Sequence, residues 1–244
     1  MSILDKIQSV PSPNHNERVG GAADMLLLHY TGMETGEGAL ERLCDPAAQV
    51  SAHYLVFEDG RIVCMVDEGR RAWHAGVASW AGEADINSRS IGIEIVNPGH
   101  ELGYPDFPDA QIEAVTALAG DIVSRRDIAA VRVLAHSDVA PDRKADPGEK
   151  FPWGRLAEAG VGHWVPPIEP MEGPVLGLGD RGDQISELQF QLADFGYGIA
   201  VDGWFGEVTA NVVTAFQRHF RPAQVDGAAD LSTVGTLRLL RDAR

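Results

Sequence analysis

Val131-Arg-Val-Leu-Ala-His-Ser-Asp-Val-Ala-Pro-Asp-Arg-Lys-Ala-Asp-Pro-Gly148 reads in two parts. The apolar run Val131 to Ala135 has the look of a buried strand, so His136 stands at a strand's end, where chemistry is usually placed. The loop that follows is punctuated by Pro141 and Pro147 and is not expected to be helical. About ten residues of irregular chain close on themselves at little entropic cost, so Asp146 can return to the neighbourhood of His136. A potential metal ligand therefore stands at each end of the run, with Lys144 between them. The run reads as half of a site.

Upstream, strand and helix signals alternate. Met25-Leu-Leu-Leu-His29 is a short apolar run, and Tyr54 to Glu58 and Arg61 to Val66 flank Asp59-Gly60, a strong hairpin turn signal. Ile91-Gly-Ile-Glu-Ile-Val96 is a further strand, with Glu94 on the same side as Gly92. From Asp109 to Arg126 the period changes to 3.6, with Ile112, Val115, Leu118, Ala119 and Ile122 on one face and Asp109 placed as N-cap. The pattern predicts an α/β class domain, a mixed β-sheet flanked by helices, over residues 1–165.

Pro166, Pro167, Pro170 and Pro174 then mark residues 166–177 as a semi-rigid, proline-rich linker. The rest, residues 178–244, is helical in pattern. Ile185, Leu188, Gln189 and Leu192 share one face, and Val208, Val212, Val213, Phe216 and Gln217 another, with Asp202-Gly203 and Asp226-Gly227 as turns. A small three-helix bundle is expected, with Trp204 and Phe205 both filling its thin core.

The 244 residues carry 36 acidic against 20 basic side chains, a formal charge of −16, which argues against nonspecific attraction to nucleic acid or an anionic membrane. No run of about 18 apolar residues suggests a transmembrane segment. The stretch from Met1 to Gln8 lacks a basic segment followed by an apolar core, so the expected location is cytoplasmic, with the periplasm or cell envelope as the alternative. Cys44 and Cys64 are isolated and read as half-buried free thiols. Oligomeric state leaves no mark in the sequence.

Four features of the first domain could converge: His29 at a strand end, His74 in Trp73-His74-Ala75-Gly76, Glu94 in mid-strand, and the run from His136 to Asp146. A catalytic zinc site needs three protein ligands and an open position, and no local His-Glu-x-x-His supplies two of them from one helix. Spacing alone therefore leaves the ligand set open.

Ser51-Ala-His-Tyr-Leu-Val, Arg71-Ala-Trp-His-Ala-Gly76, Ser90-Ile-Gly-Ile-Glu-Ile-Val-Asn97 and Ala140-Pro-Asp-Arg-Lys-Ala-Asp-Pro-Gly148, in this order, closely resemble the zinc N-acetylmuramoyl-L-alanine amidases of the type 2 family, relatives of the peptidoglycan recognition proteins. The C-terminal part, with Gly179-Asp-Arg-Gly-Asp and Val201-Asp-Gly-Trp-Phe-Gly206, resembles the peptidoglycan-binding module often attached to such enzymes. The resemblance implies Zn²⁺ held by His29, His136 and Asp146, with Glu94 as catalytic carboxylate and Lys144 as the cation near the scissile carbonyl. It also implies peptidoglycan or muropeptide fragments as partners and supports contacts to them from Trp73 and His74; Asn97, which follows the Glu94 strand, is a further candidate contact.

Plainer readings stand beside these. His53 reads as a packed structural histidine, and Asp138 and Asp142 as turn-capping residues paired with Arg143 rather than as ligands. Two other functions compete with the amidase: a peptidoglycan sensor that does not hydrolyse, and a glycoside hydrolase pairing Glu94 with an aspartate.

Overall fold

The structure, a computed structural model, describes residues 7–244; most of the N-terminal stretch read above for an export signal lies outside them. Eight strands and eight α-helices follow in chain order: β1 Gln8–Ser9, β2 His15–Glu17, β3 Met25–Tyr30, α1 Gly36–Cys44, β4 Tyr54–Val56, β5 Ile62–Cys64, β6 Arg70–Ala72, α2 Ile86–Arg89, β7 Ser90–Ile95, α3 Asp109–Arg126, β8 Val133–Ala135, α4 His136–Val139, α5 Trp153–Glu158, α6 Asp183–Phe195, α7 Glu207–Phe220 and α8 Leu231–Asp242.

Six strands form one mixed sheet in the order β1-β5-β4-β7-β3-β8, antiparallel only between β4 and β5. The two-stranded ribbon β2-β6 stands apart. Alternation along β3 splits its side chains between two cores. Leu26 and Leu28 face the cluster built on α3, where Ile112, Val115, Leu118, Ala119 and Ile122 are all buried, as their period predicts. Met25 and Leu27 face the opposite way. There they join Leu134 of β8, Val139 of α4 and the apolar faces of α6, α7 and α8 in one continuous core. The helical unit thus closes the second face of the mixed sheet rather than hanging beyond it. The proline-rich segment is itself held on that unit, through Ile168 N to Thr236 Oγ1 at 3.0 Å and a bridge between Leu176 and Ala229.

Several local expectations shift. The β8 strand is only Val133–Ala135, and the proline-punctuated loop opens with one helical turn, α4, completed before Pro141 can obstruct it. Pro108, not Asp109, stands at the N-cap of α3, leaving Asp109 in the first turn near the helix's positive end. In the C-terminal unit Phe205 is buried as expected, but Trp204 and Val208 are exposed. Trp204 lies outside under the guanidinium of Arg181, 5.0 Å from its ring centre. Cys44 and Cys64 are free and partly buried.

One ion cluster, centred on the buried Glu68, fastens α3 to the sheet. Glu68 accepts from Tyr54 Oη (2.8 Å), Arg125 Nη2 (2.9 Å) and Arg126 Nε (2.7 Å). Burial alone would raise its pKa, but the bonds from Arg125, Tyr54 and Arg126 bring it down to about 2. A folded-state pKa below the unfolded value stabilises at pH above about 4.5, and that stabilisation fades as pH falls towards about 2. Glu68→Gln is therefore expected to cost about 2 kcal/mol at pH 7, less than a wholly buried pair would, because solvent reaches Arg125 and Arg126 and screens them. The difference from wild type should shrink below pH 4 in urea unfolding series, and a pH-independent difference would contradict the assignment.

Candidate metal centre

Register places the site. His29 pairs with Glu94 and Leu27 with Gly92 across β3 and β7, so His29 and Glu94 emerge side by side at the carboxyl ends of parallel strands, on the face that Met25 and Leu27 share. Leu134 of the neighbouring β8 pairs with Leu27, so two residues on, His136 emerges onto the same face. The loop after α4 returns through Ser137 N, which donates to Asp146 O at 3.0 Å, and this fold-back brings in the third group.

His29 Nδ1 lies 2.9 Å from His136 Nδ1 and 3.1 Å from Asp146 Oδ2, and His136 Nδ1 lies 2.9 Å from that same oxygen. All three side chains are buried, and among the described residues they form the group able to hold a metal ion. The hydrogen bonds behind them assign the protons. Ser90 Oγ donates to Ile86 O (2.6 Å), so it accepts from Nε2 of His74 (3.3 Å). That leaves His74 Nδ1 to accept from Nε2 of His29, at 3.0 Å. Nε2 of His136 donates to Ala75 O, at 3.1 Å. Both Nδ1 atoms consequently turn lone pairs towards Asp146 Oδ2. Three lone-pair donors converging on one point repel unless a cation lies among them, so this donor set fits a metal.

The electrostatics agree. Burial, reinforced by His136, lowers the pKa of His29 to about 4 and keeps it neutral, and burial with His29 nearby holds His74 well below its usual value. Burial would raise Asp146, yet the neighbouring rings of His136 and His29 hold it well below the carboxylate range. Glu94 behaves oppositely. Burial, then the negative charge of Asp146, pushes it well above its usual value against the pull of Lys144. Its Oε2 is shut off from solvent and has no hydrogen-bond partner. A buried carboxylate oxygen left free beside three ligand atoms is poised to take a proton from something bound there.

A cavity of about 480 Å³ opens onto this cluster, and Tyr30, Trp73, His74, Glu94, Arg143 and Lys144 are among its lining residues. Lys144 and Glu94 therefore share the cavity with His136 and Asp146. His74 serves two surfaces at once, the cavity wall and the back of His29. It can sit there because residue 92 is glycine: a Cβ at Gly92 would meet the His74 ring at 2.7 Å. Trp73 lines the cavity with its indole nitrogen donating to Asn16 Oδ1 at 2.8 Å. Asn97 is not on the cavity wall. It is buried, with its amide donating to Pro105 O and accepting from Gly99 N, and it ties down the loop after β7.

His53 is a packed residue, as expected, accepting from Gly92 N at 2.9 Å. Asp138 does not pair with Arg143. Arg143 instead donates to the carbonyls of Ala75 and Val77, bracing the same loop that receives His136. Sequence reasoning missed this carbonyl anchor at Ala75 and the part of Tyr30 and His100 in the cavity wall. Adjacency to His29 was the available signal for Tyr30; a main-chain acceptor leaves none.

The family model for N-acetylmuramoyl-L-alanine amidase matches residues 19–149, which span every group described in the cluster. The chain belongs to the N-acetylmuramoyl-L-alanine amidase family. A second family model, for a peptidoglycan binding domain, matches residues 181–237. N-acetylmuramoyl-L-alanine amidase AmiD of Escherichia coli is 39% identical over 223 residues, 86% of this chain and 79% of that protein. Among solved structures, E. coli AmiD in complex with anhydro-N-acetylmuramic acid-L-Ala-D-gamma-Glu-L-Lys superposes with a TM-score of 0.78 at 34% identity, covering 92% of this chain and 90% of the other. AmpDh3 of Pseudomonas aeruginosa in complex with an anhydromuramic pentapeptide gives 0.74 at 32%, covering 92% and 93%. The mixed sheet flanked by helices is thus the family's fold, and among the described residues no helix is long and apolar enough to cross a membrane.

Proposed function

We propose that this amidase hydrolyses the amide joining the lactyl group of N-acetylmuramic acid to the L-alanine of a peptidoglycan stem peptide. The observation that carries the reading is the convergence of His29 Nδ1, His136 Nδ1 and Asp146 Oδ2 beside the unpartnered Glu94 Oε2. We assign the metal as zinc, held by those three side chains. Bound there, zinc would supply Lewis acidity at the scissile carbonyl and lower the pKa of a water from about 15.7 to about 7.

The chain's own groups carry the protons. Glu94, ionised when a cation offsets Asp146, takes a proton from the attacking water and later delivers it to the departing amine of L-alanine. Lys144, on the same cavity wall, stabilises the oxyanion of the tetrahedral state. Trp73 and His74 form the wall against which the substrate packs, and residues 1–165 form the catalytic domain. Residues 178–244, joined through 166–177, form the unit that holds cell-wall material. The glycosidase reading loses its aspartate, because Asp146 Oδ2 is one of the three atoms that converge on the metal position.

The anhydromuramyl peptides bound in the two structural relatives support soluble anhydro-muropeptides as the first substrate to test, and polymeric peptidoglycan as the second. Mass spectrometry of each digest should show free peptide beginning at L-alanine and intact sugar. Glycan cleavage, or binding without any cleavage, would overturn the proposal.

A further inference from the structure

The mechanism makes no use of one buried carboxylate two residues from His136. Asp138 is fully buried and accepts three hydrogen bonds. Ala135 N donates to its Oδ2 at 2.8 Å, His219 Nδ1 to the same oxygen at 2.6 Å, and Tyr197 Oη to Oδ1 at 2.7 Å. The first bond locks the main chain immediately before His136. The other two come from α7 and from the turn after α6, beyond the proline-rich segment.

Both outside donors are themselves immobilised. The His219 ring is sandwiched between Trp153 and Phe220, with centroids 3.7 Å away on each side and interplanar angles of 23° and 9°. The Tyr197 ring meets Trp80 edge-on at 5.0 Å, and their main chains form a bridge. A fully buried carboxylate is costly unless its lone pairs are filled, and a partly satisfied one reorients towards other donors or water. Here filling them depends on residues 197 and 219. Apolar packing follows the same line, since Val139 of the α4 turn lies in the core shared with α6 and α7.

We infer that the C-terminal helical unit is a working part of the metal centre: Tyr197 and His219, by completing the hydrogen-bond shell of Asp138, hold the α4 turn that aims His136 Nδ1 at the ion. Tyr197, His219 and Asp138 are positioning residues and touch neither metal nor substrate. The inference rests on the proposal that His29, His136 and Asp146 bind zinc.

The test uses the full chain and measures zinc affinity by competition with a chromophoric chelator, well below the unfolding temperature of every variant. Tyr197→Phe with His219→Leu removes both outside donors while keeping the ring at residue 197 and most of the side-chain bulk at residue 219. Its zinc affinity is expected to fall about tenfold, the range typical of residues behind metal ligands. Leu188→Ala weakens the same shared core without removing a donor to Asp138, and should lower thermal stability while leaving zinc affinity within about twofold of wild type. His219→Asn returns a side-chain N–H donor and should recover most of the loss seen in His219→Leu alone. If the double variant does not fold, Tyr197→Phe alone decides, with an expected loss of about threefold. Unchanged affinity in the donor variants, or an equal loss in Leu188→Ala, overturns the inference while leaving the zinc site intact. A wild-type chain that binds no zinc overturns both.

Discussion

Asp146→Ala is expected to give a folded protein that holds no zinc and shows no measurable cleavage of a muropeptide. The side chain is the one anion among the three converging donors, and without it two neutral imidazoles face each other across 2.9 Å with nothing to offset a divalent charge. Losing the metal forfeits the lowering of the water's pKa by about nine units, worth roughly 12 kcal/mol at about 1.36 per unit. Activity should therefore drop below any practical assay window, by about 10⁵-fold or more. Metal analysis of the purified variant and peptide release from anhydro-muropeptide check the two halves separately. Residual activity within tenfold of wild type would contradict the site.

Glu94→Gln should behave differently, losing kcat while keeping the metal. Gln matches the shape of Glu94 but cannot accept the water's proton, and a positioned general base contributes about 10²–10⁴-fold, roughly 3–5 kcal/mol. Neither oxygen of Glu94 is among the converging ligand atoms, so zinc content should stay near one per chain. KM should change little, because the lost interaction belongs to the transition state. Equal losses for Glu94→Gln and Asp146→Ala would show that the carboxylate's main work is holding the metal rather than moving a proton.

How much of this could be read beforehand follows the range of each interaction. Apolar runs marked β3 and β7 closely, and the helical period placed Ile112, Val115, Leu118, Ala119 and Ile122 of α3 in the core, missing only the small Ala114 among its apolar core residues, because both signals are local. The three metal-binding side chains come from positions 29, 136 and 146, and only the resemblance of four ordered motifs joined His29 to the others; spacing along the chain is silent on a contact across 107 residues. The role of Asp138 was illegible for the same reason. Its partners stand 59 and 81 residues away, and a short acidic side chain after a strand suits a turn cap equally well. Trp204 and Val208 were misplaced because periodicity finds an apolar stripe but not which side of a small bundle stays open. Asn97 was read as a substrate contact from its position after the Glu94 strand. Its amide is consumed in holding a loop, a use that no sequence pattern announces.

The core that α6, α7 and α8 share with Met25, Leu27 and Leu134 has a consequence for how a polymer would meet the cleft. A module on a free tether raises local concentration according to the tether's reach, and lengthening or stiffening the tether tunes the gain. Here the helical unit is packed onto the sheet, so the proline-rich segment sets no search radius. A glycan strand gripped by the helices would be delivered to the cavity at one offset and one angle. Only stem peptides with the matching phase along the strand would come within reach of Glu94, and cutting the next one would require the strand to be released and taken up again.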